Sequence, residues 1–122
     1  MNGRMPQVTN DPVDLRDRTL EFSQDVIRYA KSVQQNSLNR PVISQLIRSS
    51  TSIGANFTEA KDSVSKKDFR NKVLIAKKEA SETKYWLKLC KEFSETDELS
   101  RLQNECQQIV LILQKIITTL DH

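Results

Sequence analysis

Apolar residues return every four and then every three positions along most of this chain. From Leu15 the steps run to Thr19, Phe22, Val26, Tyr29 and Val33, with Thr19 standing where an aliphatic side chain is expected. That alternation keeps one stripe of a helix against a partner, so a first helix is predicted from about Val13 to Gln35. Residues 1–11, MNGRMPQVTND, carry no such period and read as a loose lead-in, which leaves 12–122 as the folded domain. Asn36 to Arg40 break the pattern. Pro41 then opens a second helix, because it is pre-organised for a first helical turn and its missing amide hydrogen is no loss there. Ile43, Leu46, Ile47, Ile53, Phe57 and Ala60 give that helix its apolar face, to about Asp62.

A third helix is announced by Ser65 with Asp68 three residues on, a pairing that caps free amides at a helix start. Phe69, Val73, Ala76, Ala80, Thr83, Leu87 and Cys90 form its seam, and it is expected to reach about Phe93. A second apolar group, Ile75, Trp86, Leu89 and Phe93, lies well away from that seam on a helical wheel. Thr96 caps a fourth helix, with Asp97 and Glu98 in the first turn, where the helix dipole favours negative charge. Its seam is Leu99, Leu102, Cys106, Ile109, Leu113, Ile116 and Leu120. The run Ile109-Val110-Leu111-Ile112-Leu113 is apolar all the way round, and Ile117 adds to it. Short connections make consecutive helices antiparallel neighbours. The fold predicted is all-α, an antiparallel up-down-up-down four-helix bundle. The excess apolar faces predict a homo-oligomer, with Ile75, Trp86, Leu89, Phe93 and Ile112 as interface residues.

Composition agrees with this reading. Two glycines and three prolines in 122 residues leave few helix breakers. One of those glycines, Gly54, sits in a run of small residues, Ser49 to Ser52 and Ala55. These are poor helix formers, so packing must hold them, and Gly54 is expected at a close approach of two helices. Asn56 and Glu59 are expected to bond across helices inside the bundle, where a buried amide must find partners and so fixes register. Cys90 and Cys106 fall on apolar seams and read as small core residues; their spacing leaves both free thiols and a disulfide open. Residues 1–20 hold no apolar segment of the secretory kind, and no run approaches the ~18–20 apolar residues needed to span a membrane. A soluble, cytoplasmic protein with no membrane contact is expected.

Enzymatic chemistry is thin. The one histidine is His122, at the last position, so no His-based acid, base or metal site can be built. No glycine-rich loop exists to cradle phosphate, and no cofactor or metal is implied. Glu59, Glu79 and Glu82 are the carboxylates expected inward or along a seam, with a polar rim preferred over a catalytic pair. Charge distribution is the one functional signal. Residues 65–93 hold nine Lys and Arg against four Asp and Glu, whereas residues 94–122 hold two against five. Arg70, Lys77, Lys84 and Lys91 repeat every seven residues, Lys66 and Lys88 share their sector, and Lys67 and Lys78 flank it. Such a stripe can track a phosphate backbone, although a solvated helix face often carries lysine too. Tyr85 is the nearest aromatic residue, so backbone contacts are favoured over base stacking.

Three stretches carry a resemblance: Ile53-Gly54-Ala55-Asn56-Phe57-Thr58-Glu59-Ala60, Ser65-Lys66-Lys67-Asp68-Phe69, and Lys78-Glu79-Ala80-Ser81-Glu82-Thr83-Lys84-Tyr85-Trp86-Leu87. From about Val42 to Cys90 the sequence resembles the four-helix-bundle proteins encoded within intervening sequences of bacterial large-subunit ribosomal RNA genes. The resemblance implies the same bundle and a ring-like homo-oligomer, a pentamer being favoured. It brings no defined activity, although some members of the wider family look like accessory proteins that work with nucleic acid and a reverse transcriptase. The expectation is a non-enzymatic bundle that binds RNA or other nucleic acid through the basic helix face. The alternative is a protein-interaction scaffold that uses Ile75, Trp86, Leu89 and Phe93.

Overall fold

A computed structural model describes residues 12–122; the lead-in expected over residues 1–11 lies outside the described residues. Four helices follow one another: α1 (Pro12–Ser32), α2 (Arg40–Lys61), α3 (Lys66–Cys90) and α4 (Asp97–Leu120). Each packs on its neighbours in the chain, and α1 also meets α4, so α1 and α3 stand at diagonal corners of a four-helix bundle. The α2–α3 seam is the most extensive and the α1–α4 seam the slightest. Among the described residues, no helix is long and apolar enough to cross a membrane.

The helix starts are built as their sequences suggest. The Asp68 amide donates to Ser65 Oγ at 3.0 Å, and the Leu99 amide donates to Thr96 Oγ1 at 3.1 Å. Two helix ends fall short of the periodic pattern. α1 stops at Ser32 rather than Gln35, because Asn36 and Asn39 build the connection from their side chains. Asn36 Oδ1 accepts from the Leu38 and Asn39 amides, and Asn39 Oδ1 accepts from the Asn36 amide. α3 stops at Cys90, so Phe93 lies in the following turn, where its amide bonds the Cys90 carbonyl at 3.0 Å.

The core is an aliphatic column in which every seam residue of α1, Thr19 included, is buried. Phe57 of α2 meets Phe69 of α3 edge-on, with ring centroids 6.5 Å apart. Hydroxyls sit where large side chains would hold helices apart. Thr83 Oγ1 lies 2.8 Å from Ser49 Oγ across the α2–α3 seam, and the Ser23 hydroxyl donates to the Thr19 and Ser50 carbonyls across α1–α2. These buried polar atoms are all bonded, so they add register without a desolvation penalty. Gly54 stands where α2 comes close to Thr19 of α1. A Cβ added there would lie 3.0 Å from Thr19 Oγ1 and 3.3 Å from Thr19 Cβ.

Three expectations need correction. Ile112 is 8% exposed and belongs to the core of its own chain, not to an outer interface. A straight helix drifts by ~20° per heptad against a strict seven-residue repeat, which turns Ile112 and Ile117 inward by the end of α4 and leaves Leu111 outside. Asn56 does not reach another helix: its Nδ2 donates to the carbonyl and hydroxyl of Ser52, one turn back in α2. Glu59 does bond across helices, but at the exposed rim, where Lys72 Nζ of α3 donates to it at 2.8 Å.

Candidate nucleic-acid interface

The heptad Arg70, Lys77, Lys84 and Lys91 runs down the flank of α3 beside α4, because each step of seven returns to nearly the same side of a helix. One step is about 10 Å of rise. Arg70 is already engaged: its guanidinium donates two parallel bonds, 2.7 and 3.0 Å, to the Asp121 carboxylate at the end of α4. That pairing holds the Asp121 carboxyl below its ordinary value and raises the guanidinium. The lysines differ. Lys66, Lys67, Lys77, Lys84, Lys88 and Lys91 make no ion pair among the described residues. Lys77 and Lys84 are half-buried along their stems, whereas Lys66, Lys67, Lys88 and Lys91 are exposed.

Among the described residues, the acidic helix next door forms no ion pair with these lysines. Glu105 of α4 is held by Arg18 of α1, Nε to Oε2 at 2.6 Å and Nη2 to Oε1 at 2.8 Å. This pair bridges a charged groove of about 650 Å³ between α1 and α4, lined by Asp17, Glu21, Glu98 and Arg101 among others.

The opposite flank of α3 is a closed network. Arg48 of α2 donates to Glu79 at 3.2 Å and to Glu82, and Trp86 Nε1 donates to Glu82 at 2.9 Å. The indole N–H, then Arg48, hold the Glu82 carboxyl below its usual range. Tyr85 stands edge-on to Trp86 at 5.1 Å. Ile75 and Phe93 remain exposed on this side, while Trp86 is half-buried against the core and Leu89 is half-buried. Two exposed apolar residues of α1, Leu20 and Ile27, were not singled out by the sequence reading. They line a groove between α1 and α2 with Ser23, Gln24, Thr51, Gly54, Ala55 and Thr58, and their spacing of seven is the only sequence signal for them.

Nucleophilic chemistry finds no support in the thiols. Burial pushes Cys90 up to about 11 and Cys106 up to about 12, and both are free and inside the core. Among the described residues, no group of three His, Cys, Asp or Glu is placed to hold a metal ion.

Comparison with known proteins supports the fold. A crystal structure of a protein of unknown function from the S23 ribosomal protein family of Bacteroides thetaiotaomicron superposes with a TM-score of 0.75. It is 34% identical, and the alignment covers 88% of this chain and 97% of that one. No curated protein matches the chain. The family model described as 23S rRNA-intervening sequence protein matches residues 13–115, and the chain belongs to that family.

Proposed function

We propose that this protein is a non-enzymatic, cytoplasmic, self-associating bundle that binds the phosphate backbone of RNA or other nucleic acid through the lysine flank of α3, as an accessory factor. One observation carries the reading. Lys77, Lys84 and Lys91 lie in a row beside an acidic helix, yet its nearby carboxylates are taken by Arg18 and Arg70. Cations along one line with no ion-pair partner among the described residues suit a polyanion, because each phosphate contact releases condensed counterions. Arg70 is a weaker candidate than the lysines, since phosphate must compete with Asp121 for it. A ring of copies, with five favoured by the family resemblance, would repeat the row and multiply a weak contact. Tyr85 beside Lys84 and Phe93 just beyond Lys91 are the exposed aromatic residues near the row among the described residues, too few to stack successive bases, so contacts to the backbone, indifferent to sequence, are expected.

The test is fluorescence anisotropy of a labelled RNA hairpin at low salt, with wild type and Lys77→Glu/Lys84→Glu. Tight binding by wild type and a loss of about tenfold or more in the variant support the reading. A wild type that leaves the hairpin free defeats it. A protein-scaffold reading keeps one supporting observation, the exposed Ile75 and Phe93 beside Trp86 and Leu89. It expects partner capture to depend on that side of α3 and to ignore Lys77 and Lys84.

A further inference from the structure

Because consecutive helices run antiparallel, the α1–α2 connection and the α3–α4 turn meet at one end of the bundle. Between them lies a pocket of about 520 Å³, inside the ~300–1,000 Å³ range of small-ligand sites. Both of its walls are held by bonds. Tyr29 of α1 donates its hydroxyl to the Ser94 carbonyl at 3.0 Å, which ties the α3–α4 turn to the first helix. Asn39, 2% exposed, donates through Nδ2 to the Gln34 carbonyl at 3.1 Å and fixes the facing connection. Val33 adds an apolar patch to the lining, and Phe93 is 37% exposed there. The pocket is therefore formed before any ligand arrives.

Its chemistry is that of a base site. The Gln35 side chain makes no hydrogen bond among the described residues, and Asn36 uses only its Oδ1, on the Leu38 and Asn39 amides. Side-chain amides of this kind match the donor and acceptor edges of nucleobases. Glu92, the one charged residue of the lining, only accepts hydrogen bonds, so it repels phosphate and suits the exocyclic amine of a base. Phe93 supplies an accessible ring on which one base can stack. α3 carries Lys77, Lys84 and Lys91 toward this same end, and Lys91 immediately precedes Glu92 and Phe93. We propose that the pocket receives one unpaired base of a nucleic acid whose backbone lies on that lysine row. The ligand class is then a hairpin loop, bulge or single strand, because an unbroken duplex keeps its bases paired and stacked. The row is indifferent to sequence, and the pocket adds selection for an unpaired base. For its backbone contacts the proposal rests on the phosphate reading above.

The experiment is fluorescence anisotropy on the full chain with two labelled RNA hairpins that share one stem and carry the same phosphates. One has a loop of adenosines and the other a loop of abasic residues. Wild type should bind the adenosine loop about tenfold more tightly, as stacking of a single base provides. Phe93→Ala should erase that preference and keep the affinity for the abasic loop, whereas Phe93→Tyr retains a ring and should keep the preference. Gln35→Ala, at an exposed position, should narrow it. Circular dichroism melts establish that each variant is folded. Equal binding of the two hairpins by wild type, or a preference untouched by both Phe93→Ala and Gln35→Ala, overturns the proposal. Salt-dependent binding of both hairpins with equal affinity sinks the pocket and leaves the lysine row standing. A preference that Phe93→Ala removes, in a protein whose affinity ignores Lys77→Glu/Lys84→Glu, sinks the row and leaves the pocket. A wild type that binds neither hairpin at low salt sinks both.

Discussion

The two flanks of α3 treat charge in opposite ways. Toward α2, charge is consumed within the chain: Lys72 meets Glu59, and Glu79 and Glu82 meet Arg48, with Trp86 adding a third bond. Toward α4, only Arg70 has an ion-pair partner, while Lys77, Lys84 and Lys91 have none among the described residues. The composition of α4 would suggest the reverse, because it is the acidic helix. The difference teaches that neighbouring helices of opposite charge need not cancel. Glu105 turns to α1 and binds Arg18, so the acid on α4 serves a different seam. Exposed ion pairs contribute little to stability, so the closed flank serves orientation more than folding energy. The open flank gives Lys77, Lys84 and Lys91 no ion-pair partner among the described residues, and their charge is left for a ligand.

The comparison can be broken most severely at α4. Ile112→Lys places a charge in the core and should cost about 3–5 kcal/mol, unseating α4 together with the Asp121 partner of Arg70. Leu111→Lys, one residue earlier and 52% exposed, should leave the thermal midpoint almost unchanged. Denaturant unfolding of the pair measures the difference, and equal losses would mean that α4 is rotated from the position described. Next in size is Gly54→Val, which overpacks against Thr19 and should cost about 1–3 kcal/mol. Gly54→Ala should come out much milder, because a helix-propensity gain of about 1 kcal/mol offsets the crowding of Thr19 Oγ1. A thermal melt of both variants in parallel checks the order.

A smaller effect is expected on acidification. Glu82 in the folded protein titrates below its ordinary value of 4.5, so its contribution is fully present above that value and is lost as pH falls through the lowered one. Stability should therefore decline below about pH 4.5, and Glu82→Gln should flatten part of that decline. A profile unchanged by the substitution would remove Glu82 from the network. The smallest effect falls on the open flank itself. Lys77→Glu/Lys84→Glu should leave the melting curve where wild type has it, because neither lysine has an ion pair among the described residues.

Much of the fold was legible in the sequence because a bundle seam repeats faithfully. The steps from Leu15 to Val33 and from Val73 to Cys90 mark the buried stripes, and Ser65 and Thr96 mark the caps. Helix ends were less legible. Tyr29 and Val33 continue the α1 pattern, but Asn36 and Asn39 decide where the chain turns. An all-apolar run such as Ile109 to Leu113 has no polar face to orient it, so Leu111 and Ile112 could not be told apart by period alone. The charge on α3 was legible, but its pairing was not: that Arg18 would claim Glu105 depends on residues 87 apart in sequence. The groove under Leu20 and Ile27 was hidden for a different reason. Two exposed apolar residues seven apart look like ordinary surface scatter until the groove they line with Ser23, Thr51, Gly54 and Ala55 is seen.

The most direct test is the salt dependence of hairpin binding, compared between wild type and Lys77→Glu/Lys84→Glu. If the open flank contacts phosphate, the logarithm of the binding constant should fall linearly with the logarithm of salt concentration. The slope should shrink by roughly 0.7–0.9 for each lysine lost per chain engaged. Parallel lines for the two proteins, or no binding by wild type at the lowest salt, would contradict the account and return Lys77, Lys84 and Lys91 to the status of a solvated helix face.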